Sequence, residues 1–121
     1  MPTVAILGAS ADPNKFGNRA VRAHLRQGYE VYPVNPKGGE IAGLTVYPNL
    51  QSVPVELDRI SVYLPPAVTL QLLDEIQQKG CQELWFNPGS ESDELIAAAR
   101  ERDLEPIIAC SILDLGESPH G

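Results

Sequence analysis

The sequence predicts an α/β fold built on a mostly parallel sheet, and three observations carry that prediction. Five short apolar runs alternate with longer segments, three of which repeat their apolar residues at helical spacing. The helical segments stop at glycine or a basic last turn, as helix ends do. The strands, in contrast, all run into small, polar or Pro/Gly-rich residues, so one edge of the sheet differs from the other.

The elements follow in order. "TVAILG" (3–8) is a first strand, ended by Gly8. "NRAVRAHLRQG" (18–28) reads as a helix, with Val21 and Leu25 one turn apart and Gly28 as its stop. "YEVYPVNP" (29–36) is a second strand. Residues 37–58 replace the next crossover helix with a loop that has room for a short helical turn. "RISVYL" (59–64) is a third strand, which Pro65 and Pro66 end; either proline suits a first helical turn, where no N–H is needed. "AVTLQLLDEIQQKG" (67–80) places Val68, Leu72 and Ile76 on one helical face. "QELWF" (82–86) is a fourth strand. "SDELIAAARERD" (92–103) opens on a capping Ser92 with acidic residues and closes on Arg100 and Arg102, matching the helix dipole at both ends. "EPIIAC" (105–110) is a fifth strand at the sheet edge, because Pro106 has no N–H for a ladder. Residues 113–121 read as a loose tail. The expectation is one Rossmann-like domain over residues 1–121: a mostly parallel five-stranded sheet with helices on both faces.

Composition narrows the function classes. At 121 residues the chain can bury one real core. A net charge of −7 argues against nucleic acid, whose binders need a basic surface. No apolar run approaches the roughly 20 residues that span a bilayer, and no basic region leads into a long apolar stretch. No membrane association and a cytoplasmic location are therefore expected. Cys81 and Cys110 lack metal-ligand spacing, so no metal is expected. They fall at opposite ends of their strands, about 15 Å apart, whereas a disulfide needs Cα atoms within about 7 Å.

Ligands of such sheets sit beyond the carboxyl ends of the strands. There, "GASADPNKFGNRAV" (8–21) is not the G-x-G-x-x-G spacing of a dinucleotide domain. Gly8 permits a sharp turn, Ala9 and Ser10 permit close approach, and Gly17 leaves the first helical N–H groups open to an anion. Lys15 and Arg19 flank that helix start as counter-charges. A dinucleotide domain usually ends its second strand with a carboxylate on the adenosine ribose. Here that strand ends Asn35-Pro36-Lys37, which suits a ligand with an extra phosphate near adenosine. NADP and coenzyme A (CoA) both carry one.

The chain resembles the small stand-alone members of the CoA-binding domain family, similar to the N-terminal domain of the succinyl-CoA synthetase α subunit. "GAS" with "KFGN", "YPVNPK", "LPPA", "GCQELWFNPG" and "ACSI", in that order, carry the resemblance across about residues 3–112. It implies that Gly8, Ala9 and Ser10, with Lys15 and Phe16, take the CoA phosphates, and that Lys37 pairs with phosphate. It also implies that Pro36, Leu64, Pro65 and Pro66 wall the adenine and pantetheine, and that Phe86, Asn87 and Pro88 flank the pantetheine arm. The last segment departs from the synthetases, whose turn there is longer and more acidic.

The phosphohistidine and nucleotide-grasp parts of those synthetases have no counterpart in this chain. His24 is expected at the surface or a boundary and His120 in the tail, so neither suggests acid–base work. Glu91, Asp93 and Glu94 are explained by a helix N-terminus. Cys110, at the end of the fifth strand, is expected at the ligand edge, either as a buried thiol acting as a hydrophobe or as a partner for the CoA thiol in a mixed disulfide. The resulting expectation is a non-catalytic binder of CoA or acyl-CoA, with an acyl-CoA-handling enzyme as partner. A CoA-presenting regulatory subunit and a small NADP-dependent oxidoreductase are the alternatives.

Overall fold

The computed structural model describes residues 1–120. Its main sheet has five strands: β1 (Thr3–Leu7), β2 (Glu30–Val34), β5 (Arg59–Val62), β6 (Glu83–Phe86) and β7 (Ile107–Ile108). Their order is β2-β1-β5-β6-β7, and every neighbouring pair is parallel. β1 lies opposite both β2 and β5, with Val4 level with Val31 on one side and Arg59 on the other.

Parallel strands need crossovers; three helices supply them between β1 and β2, β5 and β6, and β6 and β7, and with the last helix they cover both faces. α1 (Phe16–Arg26) and α4 (Ser111–Asp114) pack on one face, where Val4 and Ile6 meet Ala20, Val21 and Ile112. α2 (Pro66–Lys79) and α3 (Asp93–Glu101) pack on the other, where Ala5 and Leu7 join Leu73, Ile76, Leu95 and Ala99. The double coverage explains why the strand segments read as continuous apolar runs rather than alternating ones.

The caps follow the sequence. Pro66 is the first residue of α2, and the Ser92 hydroxyl accepts the Leu95 N–H at 3.1 Å to open α3. The buried face of α2 is turned by one residue from the expected one: Thr69, Leu73 and Ile76 point inward, and Val68 is exposed. The long loop holds a two-residue hairpin, β3 (Glu40–Ile41) with β4 (Leu44–Thr45), and a 3-10 turn at Leu50–Ser52.

Three expectations need correction. His24 is fully buried, not at the surface. It packs edge-on against Tyr29, and its Nδ1–H donates to the Ala20 carbonyl at 2.8 Å. The fifth strand shortens to two residues, and α4 follows it directly. The segment expected as a loose tail is docked along α1. Glu117 accepts from Arg26 and Gln27, the Pro119 carbonyl accepts from Arg19 at 2.7 Å, and the His120 ring meets Phe16 edge-on.

At the amino end of the sheet a buried Arg59 pins these parts together. Its guanidinium donates to Glu83 on β6 and to Asp114 on α4, and lies 4.7 Å from the Trp85 ring centre. Cys81 and Cys110 are both free thiols. Among the described residues no helix is long and apolar enough to cross a membrane.

Candidate functional site

A cleft of about 880 Å³ opens at the carboxyl ends of the strands, over the β1–β5 pair. The crossover after β1 leads to β2 on one side and the crossover after β5 leads to β6 on the other. The two loops therefore diverge and leave a crevice, the place where α/β sheets take ligands.

Two glycines bring the walls close. Gly8 has φ +89°, and a Cβ there would lie 2.7 Å from the Tyr63 carbonyl oxygen just past the end of β5. Gly17, in the first turn of α1, packs against the Gly8 carbonyl so tightly that a Cβ would overlap it. The helix N-terminus is thus pressed onto the first loop.

The loop's own hydrogen bonds fix its course. Ser10 Oγ accepts the Asp12 N–H at 3.1 Å, Asp12 Oδ1 accepts the Asn14 N–H at 2.9 Å, and the Asp12 carbonyl accepts the Lys15 N–H at 3.1 Å. The Gly8 and Ala9 N–H groups reach back to the Val34 carbonyl. Among the described residues the N–H groups of Ser10, Ala11, Phe16 and Gly17 find no protein acceptor. α1 has no acidic residue in its first turn, and Lys15 caps it without a side-chain bond. Open donors at a helix start favour an anion. Lys15 and Lys37 line the same cleft, with Asp12 as its acidic member.

The remaining walls follow the strand order. Lys37, Gly38 and Ile41 stand on the β2 side, with Ile41 brought in by the short hairpin. Tyr63, Leu64, Pro65 and Pro66 form the middle, and Pro88, Gly89 and Ser90 the β6 side. The Tyr63 hydroxyl lies 3.1 Å from Ser111 Oγ, and burial pushes its pKa up to about 12.

Of the residues singled out from sequence, the structure brings Gly8, Ala9, Ser10, Lys15, Phe16, Gly17, Asn35, Lys37, Leu64, Pro65, Pro66 and Pro88 into this cleft. Five do not line it. Arg19 is drawn to the Pro119 carbonyl. Pro36 lies outside the lining, beside Lys37. Phe86 is fully buried in the α2–α3 core, because the last residue of β6 still points inward. Asn87 is also buried: its Nδ2 donates to Ser61 Oγ and the Val62 carbonyl, and its Oδ1 accepts the Ser111 N–H. It joins β5, β6 and α4 beneath the cleft floor. Cys110 packs against the α1-side core as the residue before α4. Asp12, Tyr63, Ile41 and Ser90 are among the lining residues not singled out from sequence. Tyr63 had a legible signal, since it immediately precedes the Leu-Pro-Pro turn; Ile41 depended on a hairpin too short to read.

A wholly parallel, doubly covered sheet with a crevice where its strand order reverses defines a Rossmann-like ligand-binding domain. The model of the CoA binding domain family matches residues 2–115, and the chain belongs to that family. The α subunit of an ADP-forming acetate–CoA ligase I of Pyrococcus furiosus is 39% identical over 84 residues, covering 64% of this chain. The chain spans under a fifth of the length of the curated relatives it matches first, 18% in this case. A conserved hypothetical protein from Pyrococcus furiosus superposes with a TM-score of 0.85 at 35% identity, covering 94% of this chain and 99% of its own. A dinucleotide-forming acetyl-coenzyme A synthetase 1 of Ca. Korarchaeum cryptofilum, solved with phosphate and ADP, superposes with a TM-score of 0.75 at 28% identity. That match covers 88% of this chain and 25% of the synthetase.

Proposed function

We propose that the cleft binds CoA or an acyl-CoA and that the chain carries out no chemistry on it. One observation carries the reading: in a member of the CoA binding domain family, the first-loop residues whose N–H groups lack a protein acceptor line one cleft together with Lys37. The pyrophosphate lies against the loop and the start of α1, with Lys15 as counter-charge. Lys37 takes the phosphate on the adenosine ribose. The pantetheine arm runs over Leu64, Pro65 and Pro66 toward Pro88.

The cleft's titratable side chains support a binding role. Asp12 Oδ1 braces the loop by accepting the Asn14 N–H, and Tyr63 holds its proton to far above neutral pH, which makes it a poor base. The synthetase relatives support a partner that handles acyl-CoA, to which this domain presents its ligand.

Calorimetric titration of the reduced protein with CoA, acetyl-CoA, dephospho-CoA, NADP and NAD tests the reading. CoA and acetyl-CoA are expected to bind most tightly, with dephospho-CoA weaker and NAD weakest. Tighter binding of NADP than of CoA would overturn the assignment.

A further inference from the structure

The first loop exposes two adjacent N–H groups, and its hydrogen bonds give a reason. In a trans peptide the C=O and the following N–H point in opposite directions. The Ala9 carbonyl accepts Asn35 Nδ2 at 2.8 Å, and the Ser10 carbonyl accepts Asn18 Nδ2 at 2.9 Å. The N–H groups on the other side of those two peptide planes belong to Ser10 and Ala11, two of the groups without a protein acceptor.

The amide orientations are set by their partners. Asn35 Oδ1 accepts the Lys37 N–H at 2.9 Å, and an N–H can only donate. Asn18 Oδ1 accepts Arg22 Nε at 2.8 Å, and a guanidinium can only donate. Each asparagine is therefore locked with its NH₂ toward a loop carbonyl. Arg22 Nη2 also donates to the Pro13 carbonyl at 2.9 Å, so one α1 pair grips both ends of the loop.

We propose that Asn18 and Asn35 are positioning residues that aim the Ser10 and Ala11 N–H groups at a pyrophosphate oxygen, with Arg22 holding Asn18 in place. The inference rests on reading the cleft as a phosphate site. Its chemistry is that of a preorganised donor pair, which binds an anion without first reorganising the loop. Asn35 also couples this pair to Lys37, because one amide spans the loop and the lysine's own N–H.

Titration of the ¹⁵N-labelled protein with inorganic pyrophosphate, followed by amide resonances, tests it. In the unsubstituted protein the Ser10 and Ala11 resonances are expected to move most. N18A and N35A are expected to weaken pyrophosphate about tenfold each and to shrink those two shifts. Binding of phosphate-free pantetheine should stay unchanged, which damage to the cleft as a whole would not allow. N18Q, which keeps the donor, should recover part of the affinity, and R22Q should lose less than N18A. Pyrophosphate shifts that survive undiminished in N18A and N35A would overturn the positioning role alone. No movement of Ser10 and Ala11 in the unsubstituted protein would overturn both it and the phosphate reading.

Discussion

His24 gives the fold a built-in sensitivity to acid. Its Nδ1 proton is held by the Ala20 carbonyl, so the lone pair is on Nε2, 3.4 Å from Arg59 Nη1. A second proton on that ring would sit in the core against a guanidinium. Burial, followed by the Arg59 charge, brings the pKa from 6.5 down to about 4, against the opposing pull of the Ala20 bond. The Asp114 and Glu117 charges favour the charged ring, more weakly than Arg59 opposes it. The folded state therefore binds its proton later than the unfolded chain. His24's contribution is complete above the unfolded value of 6.5 and is lost as pH falls from there toward 4. The loss between pH 7 and pH 5 comes to about 2 kcal/mol, which moves a urea midpoint by about 1 M. Urea unfolding across this range should show that slope, and H24L should flatten it, since the Ala20 carbonyl keeps its helical partner. An unchanged slope in H24L, or a resonance assigned to the His24 imidazole titrating above pH 6 in the folded protein, would refute the reasoning.

Three further predictions concern the cleft and its floor. G8A should cost about 3 kcal/mol, since it combines a left-handed backbone with a clash against the Tyr63 carbonyl. G28A, at a similar φ but with open space around it, should cost about 1 kcal/mol; equal losses in thermal unfolding would remove the close-approach argument. K37A should weaken CoA about tenfold more than dephospho-CoA, and equal losses by calorimetry would exclude Lys37 from the ribose phosphate. N87A should destabilise by about 3 kcal/mol by orphaning the Ser111 N–H and the Val62 carbonyl. Lost CoA affinity at unchanged stability would instead return Asn87 to the ligand site.

How far these features could be read in advance depended on the range over which each is determined. Ser92 and Pro66 act within one helical turn, so their helices were legible to within a few residues. The Gly8–Gly17 loop was legible because its residue types serve local backbone needs, and the cleft residues it carries came with it. Phe86 and Asn87 were misplaced because a strand end resembles a ligand edge until the helices above it are seated; α2, α3 and α4 then bury both. His24 occupies a position between Ala23 and Leu25 that periodicity alone leaves ambiguous, and only Tyr29, Arg59 and α4 make it interior. The docking of residues 117–120 depends on pairs such as Arg26–Glu117, 91 residues apart, which no local pattern encodes.

The position of β1 between β2 and β5 also orders events in time. Pairing β1 with β2 closes a loop about half as long as pairing β1 with β5, where the bond between Thr3 and Asp58 joins residues 55 apart. Each doubling of a loop adds about 0.6 kcal/mol of closure entropy. Of β1's two pairings the one with β2 is therefore the entropically cheaper, and β5, which meets β6 across a loop as short as that between β1 and β2, joins β1 as part of a second local unit. The crevice exists only once β1 and β5 are paired, so the cleft is a late product of folding even though half its residues come from the first unit.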